Sequence, residues 1–236
     1  MEKGFSFISS PSPCAYLKDQ KWSLEHRFIP DLSREEFQRY LNEGWRRFGS
    51  VIFRPRCQTC TACLSLRVLV DQFRPDRSQR RTMKANANIE LVIGEPCLDE
   101  ARITLYFLHH QLRHEMRGWQ RPRPDTALQL IYSIAEGTLP AEEWSYYIDG
   151  KLVGVSYIDA LPEGYSAIYS YHHPEYQKRS LGTYMVLRLI EEAQKREMPY
   201  VYLGYYVEHC LSLEYKARFA PNEVLDANGN WSTFVA

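Results

Sequence analysis

From residue 85 onward, apolar and polar positions change period at short, regular intervals. "NIELVIG" (88–94) has the β-branched run of a strand, and "DEARITLYFLHHQLRHEMRG" (99–118) carries apolar residues at helical spacing. "PDTALQLIYSIAEG" predicts a second helix that opens near Pro124-Asp125 and closes at Gly137. Three strands are expected next. "EWSYYID" turns through Gly150 into "KLVGVSYIDAL", which turns through "PEG" into "YSAIYSYHH", and both turns have the Gly, Asp and Pro residues of antiparallel connections. "RSLGTYMVLRLIEEAQKRE" (179–197) reads as an amphipathic helix and "PYVYLGYY" as a short buried strand, with a last helix ahead of "YKARF".

Residues 1–84 have a different texture, rich in Arg, Pro and Cys with only short apolar runs. One helix stands out, "DLSREEFQRYLNEGW", with Asp31 or Ser33 as N-cap and Glu36 at capping-box distance from Ser33. The expected division is therefore a small N-terminal module, 1–84, and a larger domain, 85–236. At 236 residues, 44% hydrophobic and 14% aromatic, the chain can build a sizeable core. The opening "MEKGFSFISS" lacks a secretory apolar stretch and runs such as "LVGVSYI" are too short to cross a bilayer. A cytoplasmic protein without a membrane partner is the expectation, its six cysteines reduced.

Net charge is zero, but its distribution is uneven. Between Arg46 and Lys84 there are ten Lys/Arg against two Asp/Glu, a local +8 that leaves −8 for the rest of the chain. Trp45, Phe48, Phe53 and Phe73 are interleaved with those arginines. Cationic side chains beside aromatic rings suit phosphates and bases together.

Strand, two helices, three meandering strands, helix, strand, helix is the element order of the GNAT acyltransferase fold, an α+β architecture. Its mixed, mainly antiparallel sheet is flanked by helices, and its central strands splay to admit an acyl donor. In that fold the turn before the long helix carries a pattern like Arg/Gln-x-x-Gly-x-Gly/Ala, whose backbone N–H groups at the helix N-terminus cradle a pyrophosphate. Here the stretch is "RSLGTY". Arg179, Ser180 and Gly182 fit a donor-binding turn, whereas Tyr184 stands where a small residue is needed, so coenzyme A is not the expected donor.

Three long blocks, "GWRRFGSVIFRPRCQTCTACLSLRVLVDQFRPDRSQRR", "GKLVGVSYIDALPEGYSAIYSYHHPEYQKRSLGTY" and "PYVYLGYYVEHCLSLEYKARFAP", together resemble the bacterial aspartate/glutamate leucyltransferases. These are relatives of the eukaryotic arginyl-tRNA–protein transferases. The resemblance implies transfer of an amino acid, leucine before arginine, from aminoacyl-tRNA to the N-terminal amine of proteins beginning with Asp or Glu. It also implies that no cofactor is needed for the chemistry. The new terminus is a degradation signal.

The ester of an aminoacyl-tRNA is already activated, and a protein α-amine of pKa about 8 is partly neutral at cytoplasmic pH. Alignment and donors to the developing oxyanion therefore matter more than a strong base. Tyr169 and Tyr171 alternate on one face of the fourth-strand candidate and Tyr205 ends the fifth, so each is a candidate donor, or else one of 17 half-buried tyrosines. Asp159 ends the third-strand candidate and is either a turn cap or a carboxylate that receives the acceptor's ammonium or takes its proton. His109-His110 reads as structural and His172-His173 as a turn. Lys216 and Arg218 match family positions suited to the tRNA's terminal phosphates. An acidic acceptor side chain needs a fixed cation, for which Arg46, Arg47, Arg54, Arg77, Arg80 and Arg81 are the pool.

Cys57-x-x-Cys60-x-x-Cys63 can place three sulfurs round one ion, with Cys14 as the fourth ligand of a structural zinc; an iron–sulfur cluster is the other metal reading. Eukaryotic relatives carry a Cys-x-x-Cys near their start, reduced here to "CAYL". The alternative is that the thiols pack a small module.

Overall fold

Ser33 caps the first helix as its sequence requires. Its Oγ accepts the Glu36 N–H at 3.1 Å and Glu36 Oε2 accepts the Ser33 N–H at 2.9 Å, satisfying two orphan donors of the first turn. This is seen in a computed structural model that describes residues 4–135, 137 and 139–234. The N-terminal part contains strands β1 (Phe5–Ile8), β2 (Ser12–Pro13), β3 (Lys21–Trp22) and β4 (Leu24–Phe28), helix α1 (Arg34–Asn42), and strands β5 (Arg46–Phe48), β6 (Val51–Pro55) and β7 (Leu64–Leu69). Then come α2 (Arg77–Ala85), β8 (Glu90–Gly94), α3 (Glu100–Arg117), α4 (Pro124–Ala135), β9 (Glu142–Ile148), β10 (Lys151–Leu161), β11 (Gly164–His172), α5 (Leu181–Lys195), β12 (Tyr200–Tyr206), β13 (Asn222–Leu225) and β14 (Trp231–Thr233).

The larger sheet runs β14-β13-β7-β12-β11-β10-β9-β8, and a four-stranded sheet runs β1-β4-β6-β5. Strand, two helices, three antiparallel strands, helix and a parallel strand occur in the expected order from β8 to β12, giving the α+β, GNAT-like arrangement. The N-terminal strands are where expectation and structure differ. "LEHRF", "RRF" and "VIFRP" form β4, β5 and β6, although buried arginines at 46 and 47 mask the apolar alternation that announces a strand. β7, which precedes residue 84, pairs with β12 and β13 inside the larger sheet.

One face of that sheet buries Leu66, Val68, Trp144, Tyr146, Val153, Val201 and Leu203 against Leu187, Ile190 and Ala193 of α5, with α2 packed on α5. The opposite face is shared. Tyr157 and Tyr171 pack with Leu105, Tyr106 and Ile131 of α3 and α4, while Leu161 and Tyr202 pack with Phe37, Leu41, Trp45 and Ile52 of the N-terminal part.

The sheet parts at its centre. β11 and β12 pair in parallel only at Gly164↔Tyr200, Tyr165↔Val201 and Ser166↔Tyr202. Gly164 (φ 153°) makes the close approach possible, since a Cβ there would strike the Tyr200 carbonyl oxygen. Beyond Ser166 no strand partners the β12-facing edge of β11 among the described residues. β12 bends at a bulge between Tyr202 and Gly204, whose φ is +83°, and such a bulge increases local twist. The expected last helix is a 3-10 turn, Glu214–Arg218, so Lys216 and Arg218 lie within it rather than after it. Pro221, soon after, disfavours helical backbone at Ala220.

Candidate active site

Two elements converge on the parted strands. β5 packs against β11, and from β5 Arg46 Nη2 donates to the Gly204 carbonyl of β12 at 3.2 Å. Arg46 is only 6% exposed. Its guanidinium lies 5.6 Å from the Tyr205 ring centroid, and its Nε and Nη1 find no hydrogen-bond partner among the described residues. Lys216, 9% exposed, donates from Nζ to the Tyr205 carbonyl at 2.8 Å. A Cβ built on Gly204 would sit 3.4 Å from Lys216 Nζ and 4.0 Å from Arg46 Nε. Two buried cations therefore flank one backbone position. Burial, then the Arg46 charge, lowers the Lys216 pKa to about 7, and burial lowers that of Arg46. Unpaired guanidinium N–H groups in low dielectric are costly, and a bound anion would satisfy them.

The opposite wall is α3. Tyr106, His109, His110, Arg113 and Arg117 follow helical spacing, so they share one side. His109 lies at 3.1 Å from the His172 carbonyl through Nδ1, tying α3 to β11. Arg113 donates from Nε to His109 Nε2 at 3.5 Å. It is close enough to Tyr169 on β11 and to Tyr215 beyond β12 to interact with both electrostatically. Arg117 donates to the Leu211 carbonyl at 3.3 Å and to Ser212 Oγ at 3.2 Å. Helix α3 thus spans the gap from one parted strand to the segment following the other. Burial holds His109 at about 3 and His172 at about 4, both far below an ordinary imidazole, so both are neutral at pH 7.

The residues expected from the sequence separate by environment. Tyr169 is half-buried beside α3, its hydroxyl 2.7 Å from His110 Nε2. Tyr171 is wholly buried, its hydroxyl 3.2 Å from that of Tyr157, and cannot reach a substrate. Tyr205 points into the N-terminal part, donating to the Gly44 carbonyl at 3.0 Å; its hydroxyl proton is committed. Asp159 is 1% exposed and ion-paired with equally buried Arg47, which also donates to the Gly49 carbonyl at 2.7 Å. Neither is free for an incoming ammonium or carboxylate, because each neutralises the other. Arg54 pairs with Glu25 at 2.8 Å and lies over Trp45.

Arg77, Arg80 and Arg81 are exposed on α2, away from Arg46 and on the α5 side of the sheet. α2 has four basic residues and no acidic one. Gln79 donates to the Arg218 carbonyl at 2.9 Å and Asn86 to the Arg179 carbonyl at 2.8 Å, so the helix runs as a basic ridge between the "YKARF" turn and the start of α5. Arg179 donates to the Ala85 carbonyl at 2.5 Å and serves to fix that ridge. Ser180 sits at φ 55° and makes no side-chain cap. Gly182 faces His172, whose Nε2 lies 3.8 Å from a Cβ built there. Tyr184 turns inward against Tyr146.

A family profile described as "Arginine-tRNA-protein transferase, C terminus" matches residues 101–226, and one described as "Arginine-tRNA-protein transferase, N terminus" matches residues 12–81. The chain is 37% identical to an aspartate/glutamate leucyltransferase of Campylobacter jejuni over 93% of its own length and 92% of the relative's. The chain belongs to the aspartate/glutamate leucyltransferase family. A second such leucyltransferase, from Marinobacter nauticus, is 36% identical over 95% of this chain and 94% of its own. Among solved structures, the C-terminal domain of a putative lysylphosphatidylglycerol synthetase from Agrobacterium fabrum has a TM-score of 0.47 at 12% identity, covering 85% of this chain and 67% of that one. That likeness is too distant to bear on chemistry.

In this leucyltransferase-family chain, Cys14, Cys57, Cys60 and Cys63 all line one cavity of about 30 Å3, with Tyr16, Phe53 and Tyr205. The Cys14 Sγ accepts the Tyr16 and Leu17 N–H groups at 3.4 and 3.5 Å. Burial and then Cys14, Cys57 and Cys60 push the Cys63 thiol up to about 12. Four thiols on one cavity fit a metal in kind and number. Among the described residues, however, no group of three or more His, Cys, Asp or Glu is drawn together as ligands.

The sequence marks His110, with His109, as structural and gives Arg113 no role. The available signal was their place on the sheet-facing stripe of an amphipathic helix, where a cation is out of keeping with a purely apolar contact. No helix among the described residues is long and apolar enough to cross a membrane.

Proposed function

We propose that this chain transfers the leucyl group of Leu-tRNA to the α-amine of proteins that begin with Asp or Glu, at the cleft where β11 and β12 part. The amine nitrogen attacks the ester carbonyl carbon and a C–N bond forms. The bond to the ribose oxygen then breaks, and the proton shed by the amine ends on that oxygen. Because the ester is activated, the protein's work is to align the two ends and exclude misplaced ones. The product carries an N-terminal leucine, a degradation signal.

The observation that carries this reading is Arg46, buried, with two nitrogens, Nε and Nη1, that have no hydrogen-bond partner among the described residues, beside Lys216. A carboxylate of the acceptor's first side chain is the anion of the right size and charge for that pair. The ridge of Arg77, Arg80, Arg81 and Arg218 is exposed and one-signed, as a phosphate backbone requires. Purified protein given Leu-tRNA or Arg-tRNA and peptides starting with Asp, Glu, Lys or Ala tests the reading. Leucyl transfer to Asp and Glu peptides is expected; transfer to the Lys peptide alone, or tRNA binding with no transfer, refutes it.

Lys216 sets a pH dependence for acceptor binding. Its folded pKa of about 7 lies below the ordinary lysine value of 10.5, so the charge is present below pH 7 and is lost as pH rises through that value. The KM for an Asp peptide is expected to climb above neutrality, while Lys216→Gln gives a flatter, uniformly higher KM. Steady-state kinetics from pH 6 to 8.5 checks this. The same shift predicts that folding stability rises with pH between about 7 and the unfolded pKa of 10.5, because the unfolded chain holds the extra proton there.

Substituting Arg77, Arg80 and Arg81 together by Gln should leave the acceptor KM unchanged and raise the KM for Leu-tRNA. In the counterion-release picture the slope of log K against log salt falls by roughly two to three. Binding titrations at several salt concentrations measure it. The four cysteines organise the arginine-bearing strands; zinc or a cluster would be held by all four together. Elemental analysis of wild type and a Cys60→Ser variant distinguishes ligation from thiol packing.

A further inference from the structure

Tyr169 lies on β11 just past the last residue paired with β12, half-buried, on the face that α3 covers. Among the described residues its hydroxyl has one hydrogen-bond partner, His110 Nε2, at 2.7 Å. His110 is itself held on several sides. Its ring stacks on Tyr106 at 4.0 Å with 26° between planes, and it meets Trp119 at 5.6 Å. Aromatic contacts of this kind have preferred geometries and so help to fix the ring's orientation.

We infer that His110 is a positioning residue for transfer: it takes the Tyr169 hydroxyl proton in a hydrogen bond and so turns the phenol oxygen, as an acceptor, toward the attacking α-amine. The inference rests on transfer occurring at the parted strands. At 2.7 Å the pair is in hydrogen-bond contact, and a neutral imidazole protonated on Nδ1 accepts at Nε2. Around His110 the titratable or charged groups are Tyr106, His109 and Arg113 on its own helix, with Tyr169 opposite on β11. Burial and then the Arg113 charge hold His110 at about 4, so across the working pH range its ring stays neutral and offers a lone pair. Tyr169 is pushed up by burial and stays a phenol. With its proton engaged, its oxygen has only lone pairs to present. An amine N–H directed at that oxygen leaves the nitrogen lone pair aimed elsewhere, at the ester carbon, in a near-attack pose. No net proton passes through the pair. That assigns Tyr169 a different part from the oxyanion donor expected from its sequence position.

Leucyl transfer to an Asp peptide, followed under saturating Leu-tRNA and at varied peptide concentration, tests this with Tyr169→Phe, His110→Ala, His110→Gln and the double variant Tyr169→Phe/His110→Ala. Losing a hydrogen bond to a charged or reacting group is worth about a tenfold to hundredfold factor. We expect kcat to fall by that factor in Tyr169→Phe and His110→Ala, with the KM values for peptide and tRNA within about twofold of wild type. The double variant should be no slower than the slower single one, and His110→Gln, which keeps an acceptor and is the safer variant for folding, should recover part of the rate. Full speed in His110→Ala, or losses that multiply in the double variant, would overturn the role of His110. Full speed in Tyr169→Phe, with wild type active, would remove both this role and the placement of transfer beside Tyr169.

Discussion

Replacing Arg46 with Met is expected to give a protein that folds and binds Leu-tRNA but handles Asp and Glu acceptors poorly. Truncating one member of a desolvated charge contact costs about 2 to 5 kcal/mol, which is roughly a thirtyfold to several-thousandfold rise in acceptor KM. The expectation follows from what Arg46 lacks. It has the Gly204 carbonyl as its hydrogen-bond acceptor and Tyr205 as a ring neighbour, yet no ion-paired carboxylate among the described residues; the Asp159 carboxylate, held by Arg47, acts on it only at longer range, and Lys216 is a second cation beside it. An arginine kept for folding alone would have been given a partner. The variant's melting temperature should therefore match or exceed that of wild type, since an unpaired buried cation has been exchanged for an apolar side chain of similar length. Acceptor KM and thermal melts measured together decide it. A large loss of stability with unchanged KM would make Arg46 a structural residue.

Asp159 gives the opposite outcome. Asp159→Ala strips the counter-ion from a guanidinium that is 1% exposed, and removing one partner of a buried ion pair costs about 3 to 5 kcal/mol. Arg47 would then be stranded between β10 and Phe37 of α1, with the Gly49 carbonyl as a remaining acceptor. Such a loss is a large share of the 5 to 15 kcal/mol that stabilises a typical domain, so a melting temperature lowered by many degrees is expected. The double change Arg47→Met with Asp159→Leu should recover most of it. If Asp159→Ala instead keeps its stability and loses only kcat, Asp159 belongs to the chemistry after all.

Periodicity made the second half of the chain legible. "DEARITLYFLHHQLRHEMRG" supplies its own cap at Asp99, whose Oδ1 accepts the Arg102 N–H at 2.8 Å, and its own stop at Gly118, φ 67°; such signals are local and survive in sequence. The N-terminal sheet was hidden for the contrary reason. Arg46 and Arg47 are adjacent, alike and both buried, and nothing in "GWRRFG" says that one meets Asp159 and the other an empty-handed backbone turn. That difference arises from strands far apart in sequence. Which arginine of the pool meets which partner is therefore not written in the sequence: Arg47 is an ion-pair member, Arg54 pairs with Glu25, Arg46 is a buried cation beside Lys216, and Arg77, Arg80 and Arg81 form an exposed ridge. Tyr169, Tyr171 and Tyr205 divide in the same way, since exposure and hydrogen-bond partners, not residue type, decide which phenol can meet a substrate.

The pairing of β7 with both β12 and β13 has a consequence for biosynthesis. A strand translated early must wait, unpaired on both sides, until β12 and then β13 have left the ribosome. Closing so long a loop is slow and entropically demanding, and a waiting apolar strand is open to aggregation. Cells making this protein should need holdase chaperones during elongation more than for the finished chain.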